Sequence, residues 1–536
     1  MGLGDALTKK KRTVEVPAGE AKGRESVRQR AVNLARLNCE LWHAHENGPP
    51  QGYASFKRDG HTEHVELRTI AGRLWVQGLF YRETGEALSR QDTEQVIDAL
   101  EATAIHEGPR LPVHVRVADL GDRIYLDLAD DAWRVVEVDA KGHQVIPSER
   151  APVRFKRPNG TEALPVPTPG GSLEELKNFI HTDAPGLALV SVCLVSAMTD
   201  RGSAVLLSFM GGQGTSKSTS TRIFQRLVDP RGGALRSAPK RDEDLAVAAR
   251  NAWVVSYDNF SRISPDLSDS LCRLATGAAF TGRQLYTNGE EVVYAARRPV
   301  VLNSITDIVN RADLLDRTVA VHLLKITEDQ RQEESVFWPR FEEARPRLLG
   351  AALSALSGAL ARWSESRPER LPRLSDFYHL AHAMGDAIPG GADAFDEAWA
   401  AMQGDAIQSA LDASPIGAAL LSILEARHRW KAPAAELLRE LNASRAAGFR
   451  EHDTWPQTPH GLSSALRRLA PALEAKGWHL ELGLRATDTK HERLVVIVRT
   501  EAMAERAAIL QVDAGMDVGR AERQAALEAA GLDAAS

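Results

Sequence analysis

The chain is poor in cysteine, with three in 536 residues. Cys39, Cys193 and Cys272 lie far apart, with no CxxC pair and no histidine cluster beside them. That excludes a disulfide framework and argues against structural zinc. Cys193 and Cys272 sit in the apolar or helical contexts VSVCLV and SLCRLA, where a buried reduced thiol is expected, so the compartment reads as a reducing cytoplasm. Long apolar runs are missing too. The longest, LALVSVCLVSAM, is broken by serines and too short to span a bilayer, so a soluble protein with no membrane partner is expected. The N-terminal MGLGDALTKKKR is followed by polar sequence rather than an apolar segment, which excludes a signal peptide. No large charge of one sign exists: the net charge is −6, so any nucleic-acid contact must come from local basic patches. No internal repeat is visible.

What is present is ordinary globular composition, 43% hydrophobic and 26% charged, in a chain too long for one core. Residues 1–25 read as a polar, disordered arm. Residues 26–150 read as an α+β N-terminal domain. Within it a helical piece spans Val27–His45, HVELRTI, RLWVQGLFY and RIYLDLA read as strands, and TEQVIDALEATAI reads as an amphipathic helix. The proline-rich stretch 151–171 reads as a linker. A nucleotide-binding core is expected over 172–327, a helical region over 328–413, a last unit over 414–500 and a tail over 501–536.

The segment SAVLLSFMGGQGTSKSTSTRIFQRLV is an apolar strand, a glycine-rich turn and an amphipathic helix. That is the setting a phosphate-binding loop needs. Gly211, Gly212 and Gly214 let backbone N–H groups turn inward, Gln213, Thr215, Ser216 and Thr219 complete the cradle, and the following helix adds its dipole. Lys217 would reach the β- and γ-phosphates of ATP, and the Ser218 hydroxyl would ligate Mg²⁺. The usual glycine before the lysine is replaced by Ser216. NAWVVSYDN then supplies a strand ending in Asp258, the carboxylate expected to hold Mg²⁺ with Ser218. Next comes Asn259, an amide that can position water but cannot accept its proton. RRPVVLNSI is a further strand ending in Asn303, and NRADLLDRTVAVHLL sets Arg311 and Arg317 about a short helical turn. RQLYTNGEEVVYAAR alternates around Asn288-Gly289, a strong hairpin signal, with an acidic tip and Arg283, Arg297 and Arg298 at its base.

In this order the motifs resemble an AAA+ P-loop ATPase. The hairpin before Asn303 resembles the group that holds superfamily-three helicases and MCM proteins, and in particular ATP-binding proteins of phages and mobile elements related to primase–helicases. The resemblance implies that Asn303 is a sensor amide. It implies that Arg317, or alternatively Arg311, is an arginine finger given to a neighbouring subunit, and that the protein works as a ring or other homo-oligomer.

Residues 414–500 read as three helices followed by two strands, IGAALLSILEAR, APAAELLRELNA, HGLSSALRRLAPALEAKG, WHLELGL and RLVVIVR, which is winged-helix order. There the third helix would bring Arg467, Arg468 and Lys476 to DNA phosphates, and Arg485, Lys490, His491 and Arg493 would track the backbone from the wing. A winged helix used for protein contact is the alternative. In the N-terminal region Asp127, Asp130 and Asp131 could hold a metal or be solvated turn residues, and VRFKRPNG could touch nucleic acid or edge a sheet. The expected fold is therefore α/β, an AAA+ core flanked by an N-terminal α+β domain, a helical region and a winged helix. The expected function is an ATP- and Mg²⁺-dependent oligomeric DNA motor, helicase- or translocase-like, serving replication of a phage or mobile element. The alternatives are a switch or remodeller acting on a protein partner, and a weakly hydrolysing ATP-binding regulator.

Overall fold

The computed structural model describes residues 25–500, apart from 46–48, 284–290, 306–307, 310, 370, 413, 428, 445–454 and 486–492. The arm, the tail, the hairpin tip, Lys490 and His491 therefore lie outside the described residues. Among the described residues no single helix is long and apolar enough to cross a membrane.

The first compact unit ends at Leu111. It holds α1 (Val27–Asn38), the antiparallel sheet β1 (Cys39–Ala44), β2 (Gln51–Arg58) and β3 (His61–Glu66), then α2 (Ile70–Thr84) and α3 (Arg90–His106). Two expectations are corrected. The piece read as helical to His45 turns into strand at Cys39, where the backbone becomes extended and pairs with β2. RLWVQGLFY, read as a strand, lies inside α2. The Thr69 hydroxyl accepts from the Gly72 N–H to start this helix, and Trp75, Val76, Leu79 and Phe80 bury one of its faces. Its apolar residues continue round the helix, with Ile70, Leu74 and Tyr81 exposed, so helical periodicity is blurred.

The second unit takes in Pro112 onward, so the domain expected over 26–150 is divided at Leu111. It opens with an antiparallel meander, β4 (Val117–Asp119), β5 (Ile124–Asp127), β6 (Arg134–Asp139) and β7 (Gly142–Pro147). The stretch expected to be a linker is packed. Leu164 is buried in the main core, and the Thr168 N–H donates to the Pro346 carbonyl. In the basic VRFKRPNG, Phe155 forms an isolated bridge to His114, Val153 and Phe155 pack with Tyr125 and Ile146 of the meander, and Lys156 is buried.

Then come α4 (Ala184–Ser196), β8 (Leu206–Met210), α5 (Lys217–Val228), β9 (Arg236–Ser237), α6 (Asp242–Asn251), β10 (Val255–Asp258), α7 (Pro265–Thr276), the hairpin β11 (Ala279–Arg283) and β12 (Glu291–Ala295), β13 (Val300–Ser304), α8 (Ala312–Leu315) and β14 (Thr318–His322). β14, β8, β13, β10 and β9 form, in that order, a five-stranded sheet whose neighbours are all parallel. Parallel strands are covered on both faces, and their sequences accordingly read as apolar runs. Leu207, Phe209, Val301, Val319 and Val321 face α4, α5 and the long α9 (Glu334–Arg362), whereas Leu206, Val255, Tyr257, Val300 and Leu302 face α6 and α7. α10 (Ser375–Met384) and α11 (Gly391–Asp412) complete the helical layer.

The chain closes with α12 (Gly417–Arg427), β15 (Arg429–Pro433), α13 (Ala434–Ala443), α14 (Pro459–Ala475), β16 (Trp478–Arg485) and β17 (Arg493–Arg499). The three helices and two strands follow the expected order. β15 adds a third strand, giving an antiparallel sheet β15-β17-β16 around Leu424, Trp430, Leu437, Leu466, Trp478 and Ile497.

Candidate functional site

Because β8, β10 and β13 are parallel neighbours, their C-terminal ends open on one edge of the sheet, where α/β folds bind ligands. The Gly211–Ser216 turn leaves β8 there and enters α5 at Lys217. Gly214 has φ +79°, open to glycine, and Ser216 has φ +54°, a left-handed conformation that L side chains rarely adopt. Serine thus takes the backbone shape that the usual glycine provides. A side chain at Gly211 would meet the Thr215 hydroxyl at 2.7 Å, so the turn is closed on that side. Thr215 is buried and donates to the Gly212 carbonyl at 3.0 Å. Gly212 and Gln213 are exposed at the outer rim, and Thr219 is half-buried on the first turn of α5.

Lys217 Nζ donates to the carbonyls of Gly211 at 2.7 Å and Gly212 at 2.6 Å, so its ammonium is held over the turn. Burial lowers the lysine's pKa, and the Asp258 carboxylate partly opposes that shift. The Ser218 hydroxyl donates to Asp258 Oδ1 at 2.8 Å. Asn303, 1% exposed, ends β13 and joins it to α5 and to the end of β10. Its amide donates to Asp258 Oδ1 at 2.8 Å and to the Thr221 hydroxyl at 3.0 Å, and its oxygen accepts the Asn259 N–H at 2.9 Å. Asn259, with φ +56°, turns the chain away after Asp258, a conformation asparagine tolerates better than most residues. A hydroxyl and a carboxylate oxygen meeting beside a lysine and a ring of backbone N–H groups form a hard-oxygen corner suited to a magnesium phosphate.

Thr221 is a site residue the sequence reading did not single out. It lies one helical turn after Lys217, on the inward face of α5, and that spacing was the available signal.

Residues 171–404 match the family model of the actinomycete integrative conjugative element replication protein. Residues 416–509 match the model of that family's C-terminal domain. The phosphate-loop edge falls within the first segment and α14 within the second. Among solved structures, the chain is similar to one described as SCCmec type IV Cch, an active helicase. There the identity is 12%, the coverage 87% of this chain and 94% of that one, and the TM-score 0.44. It is also similar to the apo C-terminal region of NrS-1, at 11% identity over 89% of this chain and 100% of that one, with a TM-score of 0.39. No curated protein matches.

The remaining expected residues are dispersed about the two matched segments. Arg317 precedes β14, whose first residue pairs with Leu206 at the start of β8, so it stands at the opposite edge of the sheet from the phosphate loop. Its guanidinium donates to the Asp313 carbonyl. Arg311 is ion-paired to Asp269 at 2.9 Å. At the hairpin base Arg297 pairs with Asp200 at 2.8 Å and Arg298 donates to the Ala249 and Ala252 carbonyls, so these two are tied to the core. Arg467, Arg468 and Lys476 are exposed along and after α14, while Arg485 and Arg493 face each other in the β16–β17 register. The metal reading of the N-terminal acids is corrected. Asp127 accepts a bidentate contact from Arg157, and Asp130 pairs with Arg134 at 2.6 Å. Among the described residues no group of three or more metal-ligating side chains converges.

Proposed function

We propose that this protein is an AAA+ ATPase that couples ATP hydrolysis to movement on DNA during replication of a conjugative element, and that it acts as a homo-oligomer. The observation that carries the reading is the convergence of Lys217, Ser218, Asp258 and Asn303 on one edge of a parallel sheet. Numbered by position in the core, that sheet runs 5-1-4-3-2. In this reading 172–327 is the ATPase core, 328–413 its helical lid and 414–500 a winged helix.

Lys217 and the N–H groups from Gly211 to Thr219 bind the phosphates of ATP, and Ser218 and Asp258 hold Mg²⁺, which supplies charge neutralisation when bound. Asn303 aligns Asp258 and presents the amide nearest the reacting phosphate. Arg317 is the finger for a neighbouring subunit. Its distance from its own phosphate loop supports a role in trans, while the Arg311–Asp269 pair leaves Arg311 the less available of the two. Arg467, Arg468 and Lys476, with Arg485, Lys490 and Arg493 on the wing, contact the DNA backbone.

Asn259 supports a second reading, a slowly hydrolysing ATP-dependent regulator, because no carboxylate follows Asp258 to accept the proton of the attacking water. Steady-state ATPase measured alone, with single-stranded DNA and with duplex DNA separates the two. The motor reading expects Mg²⁺-dependent turnover that DNA stimulates and Lys217→Ala abolishes. Turnover indifferent to both kinds of DNA would overturn it in favour of the regulator.

A further inference from the structure

In the first unit, α2 buries one side and leaves an apolar stripe on the other. Ile70, Leu74 and Tyr81 are 59%, 62% and 62% exposed, and with Ala71 and Gly78 they line one face at helical spacing. The polar side chains beside the stripe turn away from it. Arg73 pairs with Glu94 at 3.0 Å, and Gln77 donates to the Thr93 hydroxyl at 3.2 Å, both partners lying on α3. No charge therefore stands on the stripe between Ile70 and Tyr81.

The two glycines of this helix differ in what asks for them. A side chain on Gly72 would meet the Leu67 carbonyl at 2.4 Å, so packing within the chain requires glycine there. A side chain on Gly78 would meet only the tip of Arg82, at 3.7 Å, which is ordinary contact. Gly78 is also helical, with no positive φ to call for glycine. Glycine weakens a helix interior, and no contact among the described residues offsets that at Gly78. What it leaves is a notch on the stripe, one helical turn from Leu74 and open to solvent.

Leu74 and Tyr81 are seven residues apart, and so are Ala71 and Gly78, so a line of large side chains runs beside a line of small ones. An antiparallel pair of such helices centred on Val76 sets Leu74 of one copy against Gly78 of the other, and Tyr81 against Ala71. The same register lays Ile70 along the aliphatic stem of Arg82. A twofold axis repeats every one of these contacts, which is the self-complementarity an isologous interface needs. We propose that α2 is a docking surface for a second copy of this chain, whose own α2 lies antiparallel with each Leu74 seated in the other's Gly78 notch. At their exposure the three large side chains offer roughly 100 Å² each. A pair of helices therefore hides about 600 Å² of them, against roughly 1,200–2,000 Å² in stable stand-alone interfaces. The contact is accordingly reversible and concentration-dependent, and nothing in it depends on the phosphate loop.

Sedimentation of the nucleotide-free full chain over a wide range of concentrations tests this, with circular dichroism to show that each variant keeps its helices. The parent chain is expected to self-associate reversibly. Leu74→Asp puts a charge into the contact at an exposed position and should weaken association roughly tenfold or more. Gly78→Leu is the discriminating variant. It adds apolar surface and a better helix former, so non-specific sticking would rise, whereas a filled notch should weaken association roughly tenfold. Exchanging knob and notch, Leu74→Ala with Gly78→Leu, keeps the register and should bring association back to within about threefold of the parent. A parent chain that stays monomeric, or association that Leu74→Asp leaves unchanged, overturns the proposal and leaves the stripe to a different protein. Stronger association in Gly78→Leu, or no recovery in the double variant, overturns it as well, because the fit of Leu74 to Gly78 would then play no part.

Discussion

Asn303 does more at the residue scale than its place at a strand end suggests. It satisfies a backbone N–H and a carboxylate at the end of β10 and a threonine hydroxyl on α5 while almost fully buried. Asn303→Ala would leave the Asn259 N–H without its acceptor and Asp258 with Ser218 as its remaining side-chain donor. It should cost about 2–3 kcal/mol of stability, read by denaturant melts of the nucleotide-free protein. A loss below about 0.5 kcal/mol would mean that water replaces the amide without penalty. The meeting of Ser218, Asp258 and Asn303 was foreshadowed in the sequence because each stands at a fixed offset from the end of an apolar strand. The consequence of Ser216 was not, since only the backbone reveals that serine accepts the left-handed turn at φ +54°. Thr221 carried no motif to mark it.

Among the elements, legibility depended on contrast. α5, with one apolar face, and the buried strands β8, β10 and β13 were readable, as was the order of α12, α13 and α14. α2 was misread because apolar residues encircle it and leave little helical period to detect. The passage from α1 to β1 was missed because no glycine or proline marks it at Asn38–Cys39. β15 escaped notice because a strand of five residues, pressed between two helices, shows no alternation long enough to read. The prediction that belongs to this scale concerns α14. Arg467 and Arg468 are exposed side by side, and neither forms an ion pair among the described residues. If both neutralise phosphates, their joint replacement by alanine should weaken binding about equally on unrelated duplexes. It should also flatten the log–log salt slope by roughly two units. A slope identical to that of the parent chain would assign this face to a protein partner.

Across the whole molecule, the feature least visible in the sequence is the buried pair Arg116–Asp229, residues distant along the chain and each 1% exposed at the side chain. Arg116 donates to Asp229 at 3.0 Å and to the carbonyls of Asp127 and Glu162, fastening the β4–β7 meander to the base of α5. The meander follows the first unit in sequence but joins the parallel-sheet core through contacts no local pattern announces. Arg116→Ala leaves a buried carboxylate with only the more distant Arg231, at 4.0 Å, as an ion-pair partner and should cost about 3 kcal/mol, read as a large fall in thermal stability. A loss under about 1 kcal/mol would show that Arg231 and the backbone donors hold Asp229 by themselves.

Those donors give Asp229 a mechanical meaning. Its backbone N–H closes the end of α5 on the Gln225 carbonyl, and its carboxylate accepts the N–H groups of Trp253 and Val254, which lead into β10. α5 carries Lys217 and Ser218 at its far end, and β10 carries Asp258 at its own. Helix and strand are thus two arms riveted at Asp229, with Ser218 and Asp258 as the jaws. Arms joined at one end swing rather than slide, so the gap at the jaws changes by rotation about the rivet, and a small angle there becomes a larger displacement at Ser218 and Asp258.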